Sequence, residues 1–151
     1  MTVDTLTKPA SVAEAIATAF SHIGEGDTAF RSDGLRDFFL YRDLGVAEAT
    51  KGEVIAQLVK ANSAPEEGTG WHYHEAKFHI VIMLKGWARF MYEEKETLVK
   101  AGDCVHQRPG IVHYLFDYSP DMEYLEVVSP ADFTTIDVDG PCEIPPPTPW
   151  K

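Results

Sequence analysis

Between Phe38 and Val128 the sequence is built from short runs rich in β-branched and aromatic residues, separated by Gly, Pro and Asp. Runs of this length and composition, at regular spacing, are typical of strands joined by turns. No helical segments alternate with these runs, which argues against a parallel sheet with crossover helices. The pattern therefore predicts an all-β fold, either a barrel or a sandwich of two sheets.

Nine strands are predicted in this central part, and Gly, Pro, Asp or charged residues mark the turns between them. The predicted strands are Phe38–Tyr41, Val54–Val59, His72–His74, Phe78–Leu84, Trp87–Tyr92, Thr97–Val99, Cys104–Gln107, His113–Phe116 and Glu123–Val128. The charged segment Glu93–Glu96 is predicted to be the solvated tip of a hairpin.

The two ends of the chain differ from the central part. In Ser11–Phe20 the first Ser is followed three residues later by Glu, and apolar residues recur at helical spacing, which predicts a short amphipathic helix. Pro141–Lys151 contains five of the ten prolines, which predicts an extended strap with Trp150 as its anchor. We expect an N-terminal helical arm (residues 1–30), a β-barrel domain (31–135) and a Pro-rich C-terminal strap (136–151).

The charge balance restricts the possible partners. The 151 residues include 13 Lys and Arg against 24 Asp and Glu, a formal net charge of −11. Such a surface repels polyanions, so neither nucleic acid nor an anionic membrane is an expected partner. No run approaches the roughly 18–20 apolar residues of a membrane span, and the N-terminus lacks the pattern of a signal peptide. We expect a cytoplasmic protein that acts on a small molecule.

His72 and His74 are the first indication of a functional site. They are separated by one residue on a predicted strand. Alternate side chains of a strand point to the same face, so both imidazoles can converge on one point. A pair at this spacing is therefore a way for a strand to supply two metal ligands, although by itself it is a weak signal.

Two longer patterns surround these histidines. Residues 71–86 read WHYHEAKFHIVIMLKG, and residues 101–113 read AGDCVHQRPGIVH. They resemble the two motifs of the cupin superfamily, in which His-x-His is followed by Glu and Gly, and a second Gly by a Pro-containing turn and His. The resemblance implies a jelly-roll β-barrel (a double-stranded β-helix) of two antiparallel sheets around a pocket. By analogy with small cupins it also implies a homodimer.

The same resemblance implies that His72, His74 and His113 are metal ligands, and it shows two departures from the motifs. Arg108 stands where the second motif has proline, and Pro109 follows it, which still supplies a tight turn. His79 stands where the first motif has glutamate. His79 is either a fourth ligand of an all-histidine site or a group beside a three-histidine centre that contacts substrate or serves as a base.

The ligand type restricts the metal. Neutral histidines leave a divalent ion with its full charge, which favours an anionic or enolate-forming oxygen ligand. Imidazole suits Fe, Ni, Cu and Zn and does not suit Ca or Mg. Similar cupins with three or four histidines include ferrous dioxygenases of diketones and hydroxyketones, and metal-dependent cyclases. We therefore expect one divalent transition metal, with Fe(II) preferred and Zn, Ni, Cu or Mn as alternatives.

Three functions follow from this interpretation. The first is an Fe(II) dioxygenase that cleaves a C–C bond beside a carbonyl in a diketone or hydroxyketone. The second is a Zn- or Ni-dependent isomerase, cyclase or lyase in which the metal acts as a Lewis acid. The third is a non-catalytic cupin that binds a small molecule. Among catalytic candidates besides the ligands we name His79, Tyr73 and Arg89, where Arg89 is either a contact for a substrate carboxylate or a solvated outer residue.

Overall fold

The computed structural model of the chain describes residues 17–66 and 68–151. Within these residues the chain forms ten strands and one four-residue helix, numbered here in chain order. They are β1 (Phe39–Asp43), α1 (Val46–Ala49), β2 (Ile55–Ala61), β3 (His72–Glu75), β4 (Phe78–Lys85), β5 (Trp87–Tyr92), β6 (Lys95–Lys100), β7 (Cys104–His106), β8 (His113–Tyr118), β9 (Glu123–Ser129) and β10 (Thr134–Asp137).

The strands form two five-stranded sheets that face each other. The order is β1-β2-β9-β4-β7 in one sheet and β10-β3-β8-β5-β6 in the other, and every pairing between these strands is antiparallel. Between the sheets lies a core of buried apolar side chains that both sheets contribute, among them Phe39, Val59, Val81, Met83, Phe90, Leu115 and Tyr118. This architecture confirms the predicted all-β jelly roll.

Alternation along the strands separates the core from the surface. In β4 every second side chain is buried, and the buried set contains His79 together with Val81 and Met83. In the neighbouring β9 the buried set contains Glu126. Val81 is the register partner of Glu126, so His79 and Glu126 lie on adjacent strands and face the interior together.

The nine predicted strands are confirmed, and each of their ends lies within two residues of the predicted one. Sequence analysis missed two elements, the helix α1 and the strand β10. The strand β10 has the sequence TTID and pairs only with β3, so it is a short edge strand without an alternating apolar pattern. It ends at Asp137 and therefore continues past the expected end of the barrel domain at residue 135.

The predictions for the two ends of the chain compare differently with the structure. Most of the predicted helix Ser11–Phe20 lies outside the described residues. The Pro-rich tail lies against β8, where the Thr148 hydroxyl donates to the Asp117 carboxylate (2.8 Å) and Trp150 Nε1 donates to the Tyr118 carbonyl (3.1 Å). These are the contacts expected of a strap anchored by Trp150. In the part of the chain that the structure describes, no helix has the length and apolar character needed to cross a membrane.

Candidate metal centre

Three predicted ligands meet at one end of the barrel. His72 and His74 point to the same side of β3, and His113 is the first residue of β8 and the register partner of His72. All three side chains are buried, and one nitrogen from each lies within 4.8 Å of the other two. The spacing along β3 and the β3–β8 register therefore bring together the three histidines that the sequence named.

Each of the three imidazoles is held by its Nδ1 atom. His72 Nδ1 lies 2.8 Å from the Gly70 carbonyl, and His113 Nδ1 lies 2.9 Å from the Ile111 carbonyl. Because a carbonyl oxygen only accepts, both Nδ1 atoms carry the proton, and each Nε2 keeps a lone pair. His74 Nδ1 lies 2.9 Å from the Thr135 hydroxyl, which can accept in the same way. Such contacts fix the tautomer and orientation of metal-binding histidines.

Burial keeps the three rings neutral. It lowers the pKa of His72 to about 4 and the pKa values of His74 and His113 to about 3, well below the ordinary value near 6.5. The neighbouring histidines contribute to the lowering in each case. At neutral pH the three Nε2 atoms are therefore unprotonated.

The donor set fits a transition metal ion. Three neutral imidazole nitrogens, oriented by their Nδ1 partners, suit Fe, Ni, Cu or Zn, and three protein ligands leave coordination positions open to a substrate. Among the described residues, this is the group of three or more His, Cys, Asp or Glu side chains that could hold an ion. A divalent metal is thus compatible with the site, and the geometry does not select one.

His79 lies beside this cluster and is not part of it. Its ring centre is 5.0 Å from that of His74, while its Nε2 lies 2.7 Å from Glu126 Oε1 and its Nδ1 lies 3.3 Å from Gln107 Nε2. The Nε2 contact with Glu126 is short but is not aligned as a hydrogen bond. Of the two alternatives for His79, this geometry favours the one in which three other histidines form the centre.

Glu126 is a buried carboxylate that sequence analysis did not name. Its Oε2 accepts a hydrogen bond from Gln57 Nε2 (2.9 Å), and its Oε1 faces His79. Burial opposes ionisation, but the interactions with His79 and Gln57 outweigh it and hold the pKa of Glu126 below its usual range. Glu126 is therefore a negative charge held inside the barrel near the three-histidine cluster.

A cavity of about 70 Å³ connects these groups. Its walls include the three clustered histidines, His79 and Glu126, together with residues that sequence analysis did not place there. The polar members of this second group are Arg36, Gln57, Thr69, Gln107 and Tyr124. Tyr41 also lines the cavity. The site thus combines metal-binding nitrogens, a carboxylate, a guanidinium and phenols in a small volume.

Two catalytic candidates lie elsewhere. Tyr73 alternates with His72 and His74 on β3, so it points to the other side of the strand and does not line the cavity. Arg89 contacts Asp117 (2.9 Å) and Glu96 (3.0 Å), away from the cavity wall. Of the two readings offered for Arg89, the outer position is the one that the structure favours.

The two residues that sequence analysis missed, Glu126 and Arg36, differ in whether the sequence carries a signal for them. Glu126 is a charged residue at a position that alternates with Tyr124 and Val128, which are buried on the same face of β9. A charge in such an alternating apolar set was a signal that could have been used. Arg36 lies in the loop before β1, where no periodicity predicts the direction of a side chain.

Comparison with known proteins agrees with this geometry. The cupin domain family model matches residues 60–128, which contain both motifs and four of the cavity histidines. No curated protein matches the sequence. Together with similar solved structures that include an RmlC-like cupin from Shewanella frigidimarina, the family match shows that residues 60–128 form a cupin domain.

Three further solved structures illustrate the shared fold. The polyketide cyclase RemF from Streptomyces resistomycificus has a TM-score of 0.62 at 15% identity, covering 81% of this chain and 89% of that one. A predicted oxalate decarboxylase from Thermotoga maritima has a TM-score of 0.54 at 24% identity, covering 68% and 90%. The Streptomyces nucleoside dehydratase Pac13 has a TM-score of 0.53 at 13% identity, covering 80% and 92%. At these identities the similarity is one of fold.

Proposed function

We propose that this cupin is a metal-dependent enzyme that removes a proton from carbon beside an oxygen function in a small organic substrate. The observation that carries the proposal is the position of an ionised, buried carboxylate, Glu126, in the wall of the same cavity as three unprotonated histidine nitrogens. A structural role alone does not require a charge there, because an apolar side chain would fill the position on β9 at lower desolvation cost.

Each residue has a separate role in the proposed reaction. His72, His74 and His113 would hold the ion, and the contacts at their Nδ1 atoms fix the orientation of the three rings. When bound, the ion would supply Lewis acidity toward a substrate oxygen and so make the adjacent C–H more acidic. Glu126, which is kept ionised by His79 and Gln57, accepts the proton on a carboxylate oxygen. His79 and Gln57 hold the carboxylate in place.

The reactions named for solved structures of similar fold support a reaction that needs no oxidant. A cyclase, a predicted decarboxylase and a dehydratase are among them, and none of these reaction types consumes oxygen. This favours the Lewis-acid enzyme among the three functions considered from the sequence.

The test is hydrogen exchange at carbon. Protein reconstituted with Fe(II), Zn(II), Ni(II) or Mn(II) is incubated without oxygen in D₂O with a panel of small hydroxyketones, diketones and 2-oxo acids, and loss of C–H signal is followed by proton NMR. We expect metal-dependent exchange with at least one compound. In Glu126→Gln we expect the rate to fall by about 10²–10⁴-fold at unchanged metal content. Exchange that is equal in Glu126→Gln and wild type would exclude Glu126 as the base.

The second candidate is the Fe(II) dioxygenase of diketones or hydroxyketones. It is favoured by the three-histidine set itself, because neutral ligands leave the ion its full charge and leave open positions for both a chelating substrate and dioxygen. Oxygen consumption by the iron-loaded protein, measured with the same panel, separates the two. Consumption with one product-forming substrate selects the dioxygenase, and anaerobic turnover selects the Lewis-acid enzyme. Ligand binding that is unaffected by metal removal, without turnover, selects the non-catalytic binding protein.

A further inference from the structure

Within the described residues, Arg36 differs from the other arginines because its side chain forms no hydrogen bond or ion pair. The sequence contains five arginines, and all lie in the described residues. Arg31, Arg89 and Arg108 each form an ion pair, and Arg42 donates to Thr28 and to the Gly24 carbonyl. Arg36 forms no ion pair with a described residue, and its Nη2 is a buried nitrogen without a hydrogen-bond partner.

This lack of a partner is notable in so acidic a protein. The chain has 24 Asp and Glu, so carboxylates are abundant, and a buried guanidinium nitrogen without a partner is destabilising. Glu126 lines the same cavity, but its oxygens are engaged by His79 and Gln57. The cavity therefore keeps its guanidinium and its carboxylate apart, each on a separate part of the wall.

The backbone holds Arg36 where its side chain reaches the cavity. The Arg36 N–H donates to the Tyr41 hydroxyl (3.0 Å), and the Phe39 N–H donates to the Arg36 carbonyl (3.3 Å). Gly34 packs against the Tyr41 ring so closely that a Cβ at this position would collide with it. The loop before β1 is thus positioned by β1 itself, and Arg36 lines the cavity with the three clustered histidines.

Arg36 and the three clustered histidines line one cavity, and a buried guanidinium nitrogen of Arg36 has no hydrogen-bond partner there. A guanidinium with an unused N–H in the cavity wall is suited to bind an anionic oxygen of a molecule that occupies the cavity.

We propose that Arg36 is the substrate-binding residue for a carboxylate, and that the substrate is a small carboxylic acid with a second oxygen on the neighbouring carbon. This inference rests on the proposed function, because it places the second oxygen at the metal centre and the carboxylate at Arg36. The cavity of about 70 Å³ suits an acid of a few non-hydrogen atoms, as in 2-oxo and 2-hydroxy acids. The positive charge of Arg36 would pair with the carboxylate of such an acid, whereas a neutral diketone has no charge to pair with it.

The test compares an acid with its neutral amide. Binding of pyruvate and of pyruvamide is measured by ligand-observed NMR on metal-free and Zn(II)-loaded protein. We expect pyruvate to bind about 10- to 100-fold more tightly than pyruvamide, the range of a charge-assisted hydrogen bond. Arg36→Gln should abolish this preference, and Arg36→Lys should retain part of it. Arg31→Gln is the matched control, since Arg31 is exposed and pairs only with Asp33, and it should keep the full preference.

The outcomes distinguish this inference from the proposed function. Equal binding of acid and amide in wild type, or a preference that survives in Arg36→Gln or is lost equally in Arg31→Gln, would overturn the role of Arg36. Loss of carbon–hydrogen exchange with an intact, Arg36-dependent preference would instead overturn the proposed chemistry. Thermal unfolding adds a check on folding. Without added acid, Arg36→Gln should be at least as stable as wild type, and a marked loss of stability would show that the guanidinium has a structural partner.

Discussion

β8 carries two polar clusters of opposite character, one at each end. At its end, Asp117 accepts from Arg89 (2.9 Å) and from the Thr148 hydroxyl (2.8 Å) on the outside of the sheet; we call these three residues the outer cluster. At its start, His113 belongs to the inner cluster of His72, His74 and His113, whose Nε2 atoms remain available for a ligand. The outer cluster satisfies its polar groups within the protein, and the inner cluster does not.

The separation between the clusters depends on an irregularity in β8. Tyr92 is the register partner of His113 and Phe90 that of Leu115, but Arg89 pairs with Asp117, so Phe116 is an extra residue. Simple alternation from His113 would turn Asp117 inward. The irregularity turns Asp117 outward and Tyr118 inward to the core. Complete pairing is typical of a cluster that stabilises the fold, and buried nitrogens without a partner are what a ligand-binding cluster requires.

The largest expected effect comes from removing a member of the inner cluster. In His113→Ala, two imidazoles remain, and we expect the metal content measured by plasma mass spectrometry to fall to near zero, with loss of any metal-dependent turnover. His106→Ala is the control, because His106 is exposed and outside the cluster, and it should keep its metal. Equal metal content in the two variants would show that the ion binds elsewhere.

Acid should destabilise the inner cluster, because burial lowers the pKa values of its three histidines. Between pH 6.5 and about 3, the unfolded chain binds protons that the buried histidines in the folded chain do not. The free energy of unfolding of the metal-free protein should therefore be constant above pH 6.5 and fall as the pH is lowered through this range. Urea unfolding at pH 7.5, 6.0 and 5.0 measures this. The fall should be smaller in His113→Ala, which lacks one of the groups, and an equal fall would assign the acid sensitivity to other residues.

A smaller effect is expected from the hydroxyl that holds His74. Thr135→Val removes the 2.9 Å partner of His74 Nδ1 with little change in volume. We expect metal affinity, measured by competition with a chelator, to fall by about 10- to 100-fold. Thr134→Val is the matched control, because Thr134 is the exposed neighbour on the same strand. A loss of the same size in both variants would point to a general weakening of β10.

The smallest effect is expected in the outer cluster. Asp117→Asn keeps the shape of this buried side chain but replaces charge-assisted hydrogen bonds with neutral ones, which should lower the free energy of unfolding by about 1 kcal/mol. Urea unfolding measures the change, and the exposed Asp139→Asn should show none. Metal content should not change. If Asp117→Asn also loses metal, the two clusters of β8 are coupled, and their separation by the irregularity is wrong.

Much of the fold was accessible from the sequence because its signals are local. Alternation and turn residues act over a few positions, and they identified nine strands; β10 was missed since a short polar edge strand has neither signal. The same locality explains His72 and His74, whose spacing on β3 suffices to bring them together. His113 could be predicted as a ligand only through the resemblance to the cupin motifs. The β3–β8 register that places it beside His72 cannot be predicted from the sequence of either strand.

The sequence thus determined the fold class, two ligands of the candidate centre through strand geometry and the third through family resemblance. Only the tertiary structure decided that His79 faces Glu126, that Arg36 reaches the cavity from a loop, and that Asp117 lies outside. The physical reason is the range of the interactions. The pleat of a strand fixes the direction of side chains two residues apart, whereas the meeting of distant segments depends on sheet register, on one extra residue in β8 and on the path of a loop.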